Sequence, residues 1–163
     1  MKTKTLYLIR HAKAEEHSFS KPDHARNIVE KGKERADRIA KDLEKLFTLT
    51  PNILVISSTA NRAIQTAALF CTTLQYPIEH IQKENSIYEA HFLDILTVIN
   101  KTRDTVDSVL LFGHNPGLSD LTNYLCGTYI NLNTSHVAII SLPDDFNFSE
   151  LSEGTATLKE ILS

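Results

Sequence analysis

Three apolar runs along the chain share one grammar: residues 6–9, 53–56 and 109–112 are short, β-branched or leucine-rich, and end in polar or small residues. Runs that are polar only at their exits read as strands buried on both faces of a sheet. Between the first two, Ala36, Ile39, Ala40, Leu43, Leu46 and Phe47 recur at helical spacing, with Lys33, Glu34, Arg38, Lys41 and Glu44 on the other faces. This predicts an amphipathic helix over 26–47, stopped by Thr50-Pro51-Asn52. The second strand exits through Ser57-Ser58-Thr59, residue types that cap helices, into Ala63, Ile64, Ala67, Ala68, Cys71 and Leu74 at helical spacing. A third helix is predicted over 90–100, with Leu93, Leu96 and Ile99 on one face. After the third strand, Gly113-His114-Asn115-Pro116-Gly117 feeds Leu118, Leu121 and Leu125, with Pro116 suited to a first helical turn. Residues 137–142 and 155–162 read as strands, the last with weak alternation and placed at an edge.

Strands alternating with helices indicate an α/β three-layer sandwich: a mostly parallel central sheet with helices on both faces. No repeat, low-complexity tract or linker divides residues 1–163, so a single domain is expected. In such sheets ligands sit at the carboxyl ends of the strands, which brings Arg10-His11, Ser57 through Arg62, and His114 to one edge.

Composition narrows the partners. With 163 residues, 42% of them hydrophobic, the chain can bury one sizeable core. A net charge of −3 and a pI near 6.1 give no broad basic field, which argues against nucleic acid. An anion must therefore be met by local cations, and Arg10 and Arg62 gain weight. Cys71 and Cys126 lack a close second cysteine and read as reduced core residues. The basic start, Met1-Lys2-Thr3-Lys4-Thr5, precedes an apolar run too short for a signal or membrane segment, so a cytoplasmic protein without membrane contact is expected.

Two arginines and two histidines converging at strand ends call for an anion with several oxygens, and phosphoryl is the natural one. Each guanidinium can grip two such oxygens through its planar fork. At the strand tip, a neutral His11 could attack phosphorus in line and carry the group covalently. Neighbouring positive charge disfavours its imidazolium, and a hydrogen bond from its other ring nitrogen to a backbone carbonyl would fix the tautomer. His114 would then donate to the transferring group. Taken singly, each residue has a plainer reading: strand-end histidines are mostly structural, and an arginine at a helix start is usually a solvated charge. The ordered set changes the balance: strand-Arg-His-Ala, strand-Ser-Ser-x-x-x-Arg-x-x-x-Thr, strand-Gly-His-Asn-Pro-Gly.

With these residues in view, the chain resembles the histidine phosphatase superfamily, also called phosphoglycerate mutase-like, and within it the small SixA-type phosphohistidine phosphatases. The matching stretches are Leu8-Ile9-Arg10-His11-Ala12-Lys13-Ala14, Glu30-Lys31-Gly32, Ser57 through Ala67, Ile87-Tyr88-Glu89-Ala90 and Gly113-His114-Asn115-Pro116-Gly117-Leu118. The resemblance implies a phosphoglycerate mutase-like fold, His11 as the phosphorylated nucleophile, and a phosphate pocket of Arg10, Arg62 and His114. It also implies no metal and no organic cofactor. The family's usual Arg-His-Gly is Arg-His-Ala here, as SixA-type sequences commonly show, and the need for a small residue is kept. Asp23 through Ile28 stands where SixA-type chains often read Asp-x-x-Arg-Pro-Leu: the proline is lost, Asp23 and Arg26 remain. Arg26 either reaches substrate or simply precedes the helix.

Only residues 91–108 separate the Glu89 motif from the third main strand, enough for a helix and a turn. Relatives that enclose small substrates usually carry longer insertions, so an open pocket suits a phosphorylated side chain on another protein, of the phosphotransfer-domain type. Leaving-group chemistry agrees, because an imidazole of conjugate-acid pKa about 6.5 departs readily once protonated, whereas an alkoxide needs a placed acid. Glu89 is the candidate acid or base, its alternative being an ion pair that orients Arg62 or Arg10. His17, in the loop beyond His11, is either a hydrogen-bond donor to the bound phosphate or a plain loop histidine, as expected for His24, His80, His91 and His136. No histidine pair outside the pocket has ligand-like spacing for a metal. The expected activity is removal of phosphoryl from protein histidine through phospho-His11. A small-molecule phosphomonoesterase is the alternative, and a non-catalytic phospho-binding module is a weaker one. A mutase would need to enclose its intermediate against water.

Overall fold

Strand β1 (Thr5–Arg10) holds the middle of the structure, a computed structural model describing residues 2–163. Its inner residues are buried on both sides, with Leu6 and Leu8 facing one apolar layer and Tyr7 and Ile9 the other. That double burial is why the run carries no polar alternation. Strand β4 (Ser108–Gly113) runs parallel along one edge of β1, in register from Thr5 opposite Ser108 to Arg10 opposite Gly113. β2 (Ile53–Ser57) pairs parallel with the far side of β4, and the two-residue β3 (Gln82–Lys83) with β2. On the other side β5 (Val137–Ser141) is antiparallel to β1 and β6 (Thr157–Leu162) antiparallel to β5, giving the order β3-β2-β4-β1-β5-β6.

Two helical layers cover this sheet, as the sequence predicts. Helices α1 (Glu30–Glu44) and α2 (Asn61–Leu74) bury Ile39, Leu43, Ala67 and Phe70 against Tyr7, Ile9, Leu110 and Phe112. Helices α3 (Phe92–Asn100) and α4 (Gly117–Cys126) bury Ile95, Ile99, Leu121 and Leu125 against Leu6, Leu8, Val109 and Leu111. The edge position expected for the last strand is observed. The other edge, β3, carries no apolar signature and was not predicted.

The predicted 26–47 helix is shorter at both ends. Residues 26–29 stay extended because tertiary partners take their backbone donors: Asn27 N–H goes to Glu15 Oε1, Ile28 N–H to Gln65 Oε1 and Val29 N–H to the Lys13 carbonyl, all within 2.8–2.9 Å. At the far end Phe47 leaves the helix and packs edge-on against Tyr7, ring centroids 5.7 Å apart. The third helix likewise starts two residues late, at Phe92, because the His91 ring accepts the Leu93 N–H as its cap. Cys71 and Cys126 are both free; Cys71 is buried, while Cys126 is only partly so. Among the described residues no helix is long and apolar enough to cross a membrane.

Gly32 fixes the start of α1 against the exit of β1. A Cβ there would lie 2.3 Å from the Lys13 carbonyl oxygen, a backbone atom with little freedom to move. Alanine would gain about 1 kcal/mol of helix propensity over glycine, but overpacking costs roughly 1–3 kcal/mol, more when backbone must shift. Gly32→Ala is expected to lower the thermal midpoint by several degrees, as ~2–4 °C accompany each kcal/mol in a chain of this size. A midpoint at or above wild type in a thermal melt would show that propensity outweighs the contact.

Candidate active site

Where β1 ends, Arg10 and His11 are tied to the neighbouring strands rather than left to a loose turn. The His11 N–H donates to the Gly113 carbonyl at 3.0 Å, and the Ser135 N–H to the Arg10 carbonyl at 3.0 Å. The ring of His11 is buried, with Nδ1 2.8 Å from the Ala12 carbonyl. A carbonyl can only accept, so the proton sits on Nδ1 and Nε2 is left with its lone pair. Burial lowers the His11 pKa to about 4, with the charges of Arg62, Arg10 and Arg26 adding to it against the Ala12 hydrogen bond. Ala12 is fully buried, and its N–H donates to Thr66 Oγ1, which itself donates to the Arg62 carbonyl.

The exit of β2 departs from the capping role expected of Ser57-Ser58-Thr59. Ala60 caps α2 without a side-chain hydrogen bond, while Ser58 Oγ accepts from the Ala60 N–H at 3.2 Å and lies 2.8 Å from His114 Nε2. The hydroxyl thus belongs to the site. Arg62, in the first turn of α2, is 3% exposed and gives one nitrogen to the Asp23 carbonyl at 2.9 Å and another to Asp23 Oδ2 at 3.2 Å. Asp23 gathers more than Arg62. Its Oδ1 takes the Arg26 guanidinium at 2.8–2.9 Å, and its Oδ2 accepts the Tyr88 hydroxyl. Although burial alone would raise the Asp23 pKa, the bonds from Tyr88 and Arg26 and the charge of Arg62 hold it well below the carboxylate range. The same arrangement, led by burial, pushes Tyr88 up to about 12.

His114 follows β4 and is 4% exposed, its ring centroid 5.3 Å from that of His11 and 5.5 Å from that of Tyr88. Burial, followed by the proximity of His11 and Arg62, lowers its pKa to about 3. Three buried polar atoms here have no protein partner: Arg10 Nε, Arg62 Nε and His114 Nδ1. Buried donors are almost always satisfied, so a cluster of orphans in one place marks where an acceptor-rich ligand belongs.

All the residues selected from sequence line one cavity of about 360 Å³: Arg10, His11, His17, Arg26, Arg62, Glu89 and His114. They differ in how they are held. Arg26 is fixed by Asp23 and the Glu15 carbonyl. His17 is exposed and reaches Asp23 at 3.4 Å. Glu89 is exposed, has the left-handed φ of 49°, and among the described residues forms no ion pair with Arg62 or Arg10. Of the other histidines, His24 contacts Thr59 Oγ1 at 2.8 Å, His91 caps α3, and His136 accepts the Asn133 N–H. Sequence reasoning did not assign Ser58, Thr66 or Tyr88 to the site and noted Asp23 only as a motif remnant. Asp23 could have been found from its match beside Arg26, and Tyr88 from its place in the Glu89 motif.

The two neutral histidines make a prediction about pH. In the unfolded chain each takes up a proton near 6.5, whereas in the fold they resist to about 4 and about 3. Their contribution is therefore complete above about pH 6.5 and is lost as pH falls from there to 3–4, by up to ~1.4 kcal/mol per pH unit for each. Asp23, with its depressed pKa, adds a further loss below the ordinary carboxylate range. Urea midpoints should decline between pH 6.5 and 4, and the decline should flatten in a His11→Gln/His114→Gln variant. A wild-type profile already flat over that window would contradict the buried neutral state.

The fold has counterparts. The chain superposes on a SixA protein from Agrobacterium tumefaciens, named for a phosphohistidine phosphatase, with a TM-score of 0.81 and 25% identity over 98% of this chain and 97% of that one. A protein histidine phosphatase SixA complexed with tungstate gives 0.80 and 20% identity, over 98% and 96%. A phosphoglycerate mutase from Plasmodium falciparum gives 0.67 and 15% identity, over 98% and 91%, a likeness of fold. No match was found among curated proteins. The family model described as Histidine phosphatase superfamily (branch 1) matches residues 6–115. The chain belongs to the histidine phosphatase superfamily and is a phosphatase of the histidine-nucleophile class.

Proposed function

We propose that the chain, acting as a single cytoplasmic domain, removes phosphoryl from histidine on a phosphotransfer-type protein, through a phosphoryl group carried on His11. The observation that carries this reading is the His11 ring itself: neutral, with Nδ1–H bound to the Ala12 carbonyl and Nε2 left free beside orphaned donors of Arg10, Arg62 and His114. In the first step Nε2 attacks phosphorus and the bond from phosphorus to the substrate imidazole breaks, its electron pair staying on the departing nitrogen, which takes a proton from solvent. Water then attacks phospho-His11, its phosphorus–nitrogen bond breaks, and phosphate leaves. Arg10 and Arg62 bind the equatorial oxygens, where charge builds in both transition states. With the Ser58 hydroxyl donating to Nε2, His114 keeps its proton on Nδ1 and turns it to the same oxygens. Binding of tungstate, a tetrahedral oxyanion, by a SixA relative supports a site of this chemistry.

The walls of the cavity bear on substrate class. Residues 91–108 hold only α3 and short turns and none of them lines the cavity, whose walls come from the loop carrying Lys13, His17, Asp23 and Arg26 and from Glu89, Asn115 and Thr134; we read this as room for a residue presented from another surface. The free cysteines suit a reducing compartment. A small phosphate ester is the second reading, and Glu89 favours it: an exposed carboxylate at the cavity, held at a φ that costs a non-glycine residue ~1–2 kcal/mol, is placed like an acid for an alkoxide. A purely binding role fits poorly with a histidine kept neutral and aimed at the ligand.

Incubation with a histidine-phosphorylated peptide should leave acid-labile phosphate on wild type and none on His11→Ala. Arg62→Ala should retain labelling but lose roughly 10²–10³ in rate, the scale set by removing one transition-state donor. Robust turnover of phosphomonoesters with none of phosphohistidine would reverse the two readings. Glu89→Gln should slow ester hydrolysis at least tenfold more than phosphohistidine hydrolysis, because only the ester needs an acid for its leaving group; equal losses would place Glu89 on a shared step.

A further inference from the structure

Next to the active site lies a larger groove of about 540 Å³, lined by Lys13, Lys31, Gly32, Glu34, Arg35 and Arg38. Four cations face one carboxylate there, on a chain whose net charge is −3. Lys13 lines both hollows, so the groove continues from the pocket at the point where the chain leaves His11. The contact of Gly32 with the Lys13 backbone holds the groove at a fixed place beside the site.

A charged helix face is ordinarily just solvated, and the second half of α1 fits that description: Lys41 pairs with Asp37, and Asp42 with Lys45 just past the helix end. The first half differs. Among the described residues Lys13, Lys31 and Arg35 have no carboxylate within ion-pair distance, and Arg38 meets only the Ser163 carbonyl at 3.4 Å. Lys31 and Lys33 moreover occupy the first turn, where the helix dipole disfavours positive charge. Lys31 thus stands where it weakens the helix slightly, offset in part by Glu30, and Lys13, Lys31 and Arg35 lack an ion-pair partner among the described residues, which leaves an external anion as their counterpart.

We infer that this groove is the docking surface for an acidic patch beside the phosphohistidine of the partner protein. The phosphoryl group enters the pocket while carboxylates flanking it on the partner meet Lys31, Arg35 and Lys13. The inference rests on the phosphohistidine reading and specifies the surface chemistry of that partner. Charge pairing of this kind acts chiefly on encounter and fades with salt.

The test compares kcat/KM on a phosphotransfer domain phosphorylated on histidine, with carboxylates around it, against free phosphohistidine. Lys31→Glu/Arg35→Glu is expected to lose about tenfold or more on the domain, to stay within about twofold on free phosphohistidine, and to lose the salt dependence seen in wild type. Lys45→Glu, just past the end of α1 where Lys45 pairs with Asp42, is the control and should match wild type on both. Glutamate at position 31 favours the helix start, and unchanged turnover of the small substrate verifies the fold. If wild type hydrolyses both substrates and the double variant keeps pace on the domain, the docking inference fails alone. A variant that loses equally on both overturns it too, since the groove would then act on the pocket. If wild type hydrolyses neither, the phosphohistidine reading fails and docking falls with it.

Discussion

Everything at the active edge depends on one carboxylate. Asp23 takes hydrogen bonds from Arg62, Arg26 and Tyr88, and so binds the start of α2, the loop after β1 and the Glu89 motif into one unit. Without it, two guanidinium groups would face each other across a partly buried site, where opposing charge is the only cheap remedy for desolvation. The carboxylate leaves Arg62 Nε and Arg10 Nε unmatched, so it offsets part of the pocket's positive charge without filling it. Geometry and electrostatics are thereby joined: the anion that allows the cations to be buried also aims them.

The histidines show the same economy of means. His11 and His114 stand 5.3 Å apart between rings, each buried near arginines, and two imidazolium ions there would repel each other as well as the guanidinium groups. The fold resolves this by keeping both neutral, one tautomer set by the Ala12 carbonyl and the other ring oriented by Ser58. Neutrality is a structural requirement before it is a chemical advantage. The nucleophilic lone pair follows from the packing.

What could be read from sequence tracks the range over which each cause acts. The strands at Leu8, Val55 and Leu111 were visible because burial on two faces leaves an unbroken apolar run. Arg10, His11, Arg62 and His114 were visible because each sits directly at a strand exit or helix start, and chain order alone brings those ends to one edge. Ser58 satisfies the local rule for a helix cap in the sequence, while its partner in the fold, His114, lies 56 residues away. The start of α1 was misplaced for the same reason: Glu15, Gln65 and Lys13 claim backbone donors that local periodicity assigns to a helix. Asp23 stood in a recognisable motif, yet nothing in its neighbourhood reveals that Arg62 would be its partner.

The strand order carries a consequence for how the protein comes into being. β1 and β2 never pair with each other; β4, made much later in the chain, lies between them and provides all their sheet contact on that side. His11 and Arg62 are therefore brought to their working separation by a strand that ends at residue 113. A nascent chain holding both residues but lacking β4 has the parts of the pocket without the spacing. Because such long-range pairing must close before it is rewarded, assembly of the site is tied to collapse of the whole sheet rather than to any earlier local unit. Catalytic competence and global cooperativity are, in this topology, the same event.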